Sequence, residues 1–275
     1  ISHCANLNVP LIRGAAKPNQ IRETAQSSRI GTEAAARWYR HSFLEVTAVD
    51  QGCRYIALGH NLGDDTETMI QRFFQGSGPT GLRGIDVSRP PFIRPLLRVS
   101  RKTILEFLEK REIPYATDSS NSDTRILRNA IRTNLIPSIT RTFPGFRAGL
   151  DVLAEKMEMV DRFISDEASK RLPVRFDPTR NEAFISKIAY DVAPPILRLS
   201  ALMDACNQVT AHAKRIPTRF PYKALRTLIN KELGASTNNR TLLSIGPLEI
   251  AQSERALRIR SRVVFDSENS YLLVV

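Results

Sequence analysis

The chain has few cysteines, few aromatics and no long apolar run. Three cysteines, Cys4, Cys53 and Cys206, lie far apart in 275 residues. They form no CxxC pair and no disulfide framework, so the sequence reads as one for a reducing, cytoplasmic setting. The same spacing argues against a cysteine-held iron–sulfur cluster. No apolar stretch approaches 18 residues, so no membrane-spanning helix is expected. The first residues are neither basic nor followed by an apolar core and do not read as a signal peptide. Aromatics at 7 % leave little for a broad base-stacking platform.

Positive charge is what the chain does have. Lys and Arg total 40 against 28 Asp and Glu, a formal charge of +12, and 31 of the 40 are Arg. Arginine's planar fork suits phosphate and base edges better than lysine's point charge. Residues 1–150 hold 21 basic and 13 acidic groups, and residues 151–275 hold 19 and 15. The surplus is spread along the chain and is not a tail. It points to a polyanionic partner, most simply nucleic acid; a solvated basic surface is the plainer alternative. The length suits one large or two medium domains.

Residues 7–13 (LNVPLIR) read as a strand or strand end, and 14–30 as a polar loop. Thr32 is a helix N-cap candidate, followed by Glu33 and an Ala-rich run to about Gly52. The apolar run Tyr55–Leu58 predicts a buried parallel strand. A second helix opens at Asp64 and Asp65, acids where the helix dipole favours them, and stops at Gly76. Strand, helix, strand, helix is the rhythm of a parallel sheet with crossover helices. Ligands in such sheets bind beyond the carboxyl ends of the strands, where Gly59 and His60 fall.

Further on, a Gly/Pro-rich loop spans 76–91, and a helix runs from Ser100 to about Glu112. DSSNSD (118–123) is turn chemistry before a helix over 124–136. That helix carries Arg125, Arg128 and Arg132 on one stripe. A long amphipathic helix follows Pro144-Gly145 to about Leu172, and the domain boundary is placed in it, giving 1–150 and 151–275. Residues 182–233 read as mainly helical and 240–264 as short strands.

The segment GHNLGDDTETMIQRFFQGSGPTGLRGI (59–85) carries the most chemistry. Asp64 and Glu67 are i and i+3 and share a helix face, while Asp65 points about 100° away. One or two carboxylates here can hold Mg²⁺ together with nucleotide phosphates. His60 can serve as acid, base or phosphate contact. The plainer alternative is a capped helix with acids for its dipole.

Five segments in order resemble the tRNA(Ile)-lysidine synthases, members of the PP-loop ATP-pyrophosphatase superfamily. They are TEAAARWYR (32–40), ALGHNLGDDTET (57–68), QGSGPTGLRGI (75–85), IRPLL (93–97) and DSSNSDTRILRNAIRTNLIP (118–137). The resemblance covers residues 1 to about 150 well and the rest loosely. It implies an α/β fold: a parallel-sheet, Rossmann-like catalytic domain over 1–150, of the adenine nucleotide alpha-hydrolase type. A mainly helical tRNA-binding domain with a few short strands would follow over 151–275.

The resemblance also implies a reaction. ATP adenylates the C2 oxygen of the wobble cytidine in an isoleucine tRNA with a CAU anticodon. The amine of free L-lysine then attacks C2 and expels AMP, making lysidine. Carried over by motif, Asp64 and Glu67 would contact Mg²⁺ or the lysine amine, with Asp64 the metal ligand. His60 and Arg37 would join them in catalysis. Arg40, Gly59 and Asp65 would lie at the ATP, and Arg128, Asn129 and Arg132 at the tRNA or adenylate. The resemblance admits a homodimer and implies no membrane.

Two departures qualify it. The superfamily's Ser-Gly-Gly-x-Asp-Ser phosphate loop does not occur in these 275 residues, and the chain opens with Ile1. A piece of a longer product, or a natural truncation, is therefore expected, and weak ATP binding on its own. Aligning on Glu67-Thr68 also puts Gly63 where the first of two family acids stands, and Asp64 at the second. Asp64 is favoured over Asp65 as the functional acid. Within the C-terminal part, Arg215, Arg219, Lys223 and Arg226 can form a phosphate-binding face or a solvated helix surface. A PP-loop tRNA thiolase and a non-catalytic tRNA-binding remnant are the competing readings.

Overall fold

A computed structural model describes residues 2–28, 30–116, 127–212, 222–233, 240–245 and 248–261. The expected turn at Asp118 and Asn121, and Arg125, Arg215 and Arg219, lie outside the described residues. Two compact units are distinguished, Leu44–Asp161 and Ile1–Phe43 with Arg162–Val275.

The second of these begins with two short helices, α1 (Ser2–Asn6) and α2 (Gln20–Ser27). Both depart from expectation. Residues 7–13 form no strand, and Leu7, Val9, Leu11 and Ile12 are exposed. Pro10 has no N–H to give a ladder, and no strand among the described residues pairs with this segment. The polar stretch 14–30 contains α2, whose only buried residue is Ala25. α3 (Thr32–Asp50) starts where Thr32 was expected to start it. Trp38 is half-buried and packs edge-on against Tyr39 at 4.9 Å.

Within Leu44–Asp161, β1 (Ile56–Ala57) pairs in parallel with β3 (Phe92–Ile93), and β2 (Ser88–Arg89) pairs antiparallel with β3. The order is β1-β3-β2. α4 (Leu62–Phe74) follows β1, and α5 (Pro79–Leu82) sits in the glycine-rich loop. α6 (Arg101–Lys110) follows β3, with Ser100 Oγ accepting from Thr103 N–H at 3.1 Å as its N-cap. The N-termini of α4 and α6 meet at the carboxyl end of the parallel pair, where Leu62 N–H donates to the Val99 carbonyl at 3.0 Å.

The arginine-bearing segment is α7 (Leu127–Ala130), a π-turn over Ile131–Leu135, and α8 (Ile136–Thr142). Pro137 accounts for the wider turn. It has no N–H for the carbonyl four residues back, so the ladder cannot continue at α spacing. Ile70 on α4 packs against Ile131 and Ile136, with Phe146 and Leu150 beside them. The last two belong to α9 (Phe146–Arg171), the long helix expected after Pro144-Gly145. The division between the units falls within α9 at Asp161/Arg162.

The C-terminal part forms β4 (Arg175–Asp177), β5 (Glu182–Ser186), α10 (Lys187–Val192), α11 (Pro195–His212) and α12 (Tyr222–Ile229). β6 (Arg240–Ile245), β7 (Leu248–Gln252) and β8 (Ala256–Ser261) complete it. The strands make one antiparallel sheet in the order β4-β5-β8-β7-β6. β5 corrects the helical reading of 182–186: Ile185 pairs with Leu257, 72 residues away, and that pairing overrides local preference. α11 lays Leu202, Cys206 and Val209 on the sheet, all fully buried with Ile185 and Ile259.

Candidate active site

α4 is fixed at its start by a reciprocal cap. The Asn61 side-chain oxygen accepts from Gly63 N–H at 2.8 Å and Asp64 N–H at 3.3 Å. Asp64 Oδ2 in turn accepts from Asn61 N–H at 2.8 Å. The expected helix start at Asp64 thus moves back to Leu62, because Asn61 and Asp64 form a capping box. Asp64 is thereby aimed along one face of α4, with its other oxygen turned to a second partner.

That partner comes from 64 residues away. Arg128 donates from Nη2 to Asp64 Oδ1 at 2.6 Å and from Nε to Glu67 Oε2 at 2.7 Å. Arg132 donates from Nε to Glu67 Oε1 at 2.5 Å and from Nη2 to Glu67 Oε2 at 3.1 Å. Its Nη2 also stands 3.7 Å from Asp64 Oδ1. The side chain of Glu67 is 3 % exposed, while those of the two arginines are about a third exposed. The cluster is therefore anchored at Glu67 and open at the guanidinium end. The hydrogen bond to Glu67 pushes Arg132 above its ordinary range, outweighing burial, which lowers it. Ile70, one turn beyond Glu67, holds the π-turn against α4 and sets this register.

Asp65 makes its bonds elsewhere. It is buried, and its Oδ1 accepts from Ile85 N–H at 2.6 Å. Gly84 has φ +83°, and a Cβ there would lie 2.7 Å from Asp65 Oδ1, so only glycine fits. Arg72, two turns along α4, donates to the carbonyls of Gly81 at 3.0 Å and Gly84 at 2.8 Å. Asp65 and Arg72 together brace the glycine-rich loop. Burial raises the Asp65 pKa; the Ile85 N–H and then Arg98 pull it back only in part.

Of the remaining expected residues, Gly59 is exposed and His60 half-buried, just past the end of β1. Asn129 is buried on α7. Arg37 and Arg40 are exposed on α3 and belong to the other compact unit.

Beside the cluster is a cleft of about 290 Å³. Its walls include Glu67, Arg132 and Ile136, together with Arg101 and Lys102 of α6 and Arg147 of α9. That volume is at the small end of the range for small-molecule sites. Four cations against one carboxylate suit an anionic group. Sequence reasoning did not single out Arg101, Lys102 or Arg147. The signal available was the position of Arg101 and Lys102 in a helix's first turn, where the dipole disfavours cations. For a metal, all four carboxylate oxygens of Asp64 and Glu67 already accept hydrogen bonds, so Mg²⁺ at Asp64 would compete with the Arg128 guanidinium for the same oxygen. Among the described residues, no group of three or more His, Cys, Asp or Glu is placed to hold a metal. No helix among them is long and apolar enough to cross a membrane.

Comparison with known proteins places this arrangement. Residues 2–139 match the model of the PP-loop domain family. A tRNA(Ile)-lysidine synthase of Borreliella burgdorferi is 42 % identical over 222 residues, 78 % of this chain and 47 % of its own. One from Treponema denticola is 36 % identical over 159 residues, covering 58 % and 35 %. One from Thermosipho africanus is 34 % identical over 143 residues, covering 52 % and 34 %. The chain thus spans between a third and a half of the length of these curated relatives. The family match covers half of the chain and includes α4, the glycine-rich loop and the arginine-bearing segment, and the chain belongs to the PP-loop domain family.

Proposed function

We propose that this chain is the catalytic part of a tRNA(Ile)-lysidine synthase. Residues 1–150 form its ATP-using domain and 151–275 a tRNA-binding extension. The observation that carries the reading is the Asp64–Glu67–Arg128–Arg132 cluster at the rim of a cation-lined cleft. It stands beyond the carboxyl ends of β1 and β3, the ligand end of parallel sheets.

The reaction is ligation of free L-lysine to C2 of the wobble cytidine in a CAU-anticodon tRNA. ATP supplies the adenylyl group that makes the C2 oxygen a good leaving group, with release of diphosphate. The lysine amine then forms the new C–N bond as the C–O bond to AMP breaks. Asp64 and Glu67 are the carboxylates for the incoming ammonium, and one of them takes its proton before attack. Arg128 and Arg132 neutralise these acids at rest and face the growing charge on the leaving phosphate. His60 and Gly59 border the base and phosphates, and Asn129 fixes the arginine helix. Arg37 and Arg40 keep the roles the resemblance gives them, in catalysis and at the ATP. Asp64 is the residue that would hold Mg²⁺, which would supply positive charge at the ATP phosphates.

Cysteine chemistry weakens the thiolase reading: Cys206 is buried, with its thiol pushed up to about 12, and Cys53 and Cys4 are remote in sequence. The test is lysine incorporation by the full-length protein with ATP and the CAU-anticodon tRNA. One AMP released per lysine bound to RNA is expected. A protein that binds the tRNA and ATP but incorporates no lysine contradicts the reading.

A further inference from the structure

We infer that Arg101, Lys102 and Arg147 form a phosphate subsite that holds the RNA backbone next to the reacting centre. This rests on the proposed reading of the cleft as the place of RNA modification, and goes beyond it by assigning these residues to the backbone.

The three side chains come from the first turns of two helices, α6 and α9, and line the same cleft as Glu67 and Arg132. They are poorly neutralised. Among the described residues, no hydrogen bond or ion pair holds the Arg101 side chain. Lys102 has an exposed pair with Glu106 at 3.7 Å, of the kind that contributes little. Arg147 lies over the Phe146 ring, 5.5 Å from its centroid, with no carboxylate partner among the described residues. The one carboxylate in the cleft, Glu67, is already engaged by Arg128 and Arg132. The first turn of α6 contains no acid, so the dipole and the side chains add positive potential at the same spot. An anion is the group that relieves this excess.

RNA is favoured over the nucleotide as its source. All three residues line the cleft and are exposed, whereas a substrate held for chemistry would be enclosed. The cleft is small, and a backbone phosphate can enter it without the rest of the strand. Arginine and lysine at such positions fix the register of a nucleic acid without reading its sequence.

The experiment uses full-length protein and the CAU-anticodon tRNA, with binding measured across a salt series and ATP affinity measured separately. In Arg101→Ala/Lys102→Ala and in Arg147→Ala, tRNA affinity should fall about tenfold at low salt. The slope of log affinity against log salt should flatten by about 0.7 to 0.9 for each phosphate that is no longer neutralised. ATP affinity should not move. Arg101→Lys/Lys102→Arg should keep the slope, which separates charge from folding. Lys110→Ala, at the far end of α6, should leave the slope unchanged. Equal slopes in wild type and both alanine variants overturn the subsite, as does a loss confined to ATP. Flattened slopes in the alanine variants, with no lysine incorporation by the wild type, overturn the reaction and leave the subsite standing.

Discussion

The C-terminal region and the Leu44–Asp161 region both bury polar side chains, but they differ in the size of the apolar core around them. Among the described residues of the first, nineteen buried apolar residues form one cluster, from Ala168 to Ile259. Among the described residues of the second, the buried apolar cluster is Ile70, Ile131 and Ile136, yet α4 buries Asp65, Thr66 and Glu67 in succession. A sheet with a helix laid on it can bury side chains by the dozen, and the charge it buries at Arg198 is met by the backbone carbonyls of Asp191, Ala193, Ile229 and Lys231. A site must likewise desolvate charge and compensate it. If the proposed site is right, the larger apolar core carries most of the stability and the Glu67 cluster the chemistry, and substitutions in the two should fail in different ways.

The largest expected effect is at Glu67. Glu67→Gln removes the charge that holds two guanidiniums, and lysine incorporation by the full-length protein should fall by more than about 100-fold. Its cost in unfolding free energy should be about 3 kcal/mol, the lower end for a broken buried pair, because the arginines keep some solvent. Full activity in this variant would erase the contrast between the regions. Next is Leu202→Ala, with a fully buried side chain in the C-terminal core. It should cost about 2–5 kcal/mol in a denaturant melt. The protein that remains folded should keep its kcat. A specific loss of kcat would show that the C-terminal core takes part in chemistry.

A smaller effect is expected at Asp65, and pH sharpens it. Burial raises its folded pKa above the unfolded value, so the folded state holds the proton more tightly. Stability then falls as pH rises from the unfolded carboxylate value through the raised one, and levels off above it. Asp65→Asn can still accept from Ile85 N–H, so it should flatten that stretch of the stability–pH curve and be no less stable at neutral pH. A steeper curve in the variant would contradict the account. The smallest effect is at Arg83, which pairs with Asp86 at 3.2 Å and Asp161 at 3.3 Å, partly exposed. Arg83→Ala should cost about 1 kcal/mol or less in the same melt.

Local signals in the sequence found most of the elements that position the site. The Thr32 helix start, a parallel strand within 55–58 (shorter than expected, Ile56–Ala57, with only Ile56 of the two buried), the Ser100 cap and the stop near Gly76, with φ +71°, are short-range features of residue type. What escaped depends on distant partners. β5 exists because β8 pairs with it, and residues 7–13 lack such a partner among the described strands. The i, i+3 spacing put Asp64 and Glu67 on one face and Asp65 off it. Spacing could not say that Arg128 and Arg132 close on those two acids from more than 60 residues away. The π-turn that aims them is legible only once Pro137 is known to lie inside the helix. Arg101, Lys102 and Arg147 come together only through the tertiary packing of α6 and α9 around one cleft.

The two adjacent acids of α4 offer the most direct test, because they differ by one residue and by the whole of their surroundings. The measurement is AMP release by the full-length protein with tRNA and lysine present, comparing Asp64→Asn with Asp65→Asn at neutral pH. Release should fall by about 100-fold in the first and should stay within about threefold of wild type in the second. Unchanged turnover in Asp64→Asn, or loss in Asp65→Asn alone, would place the chemistry on the other face of the helix and contradict the account.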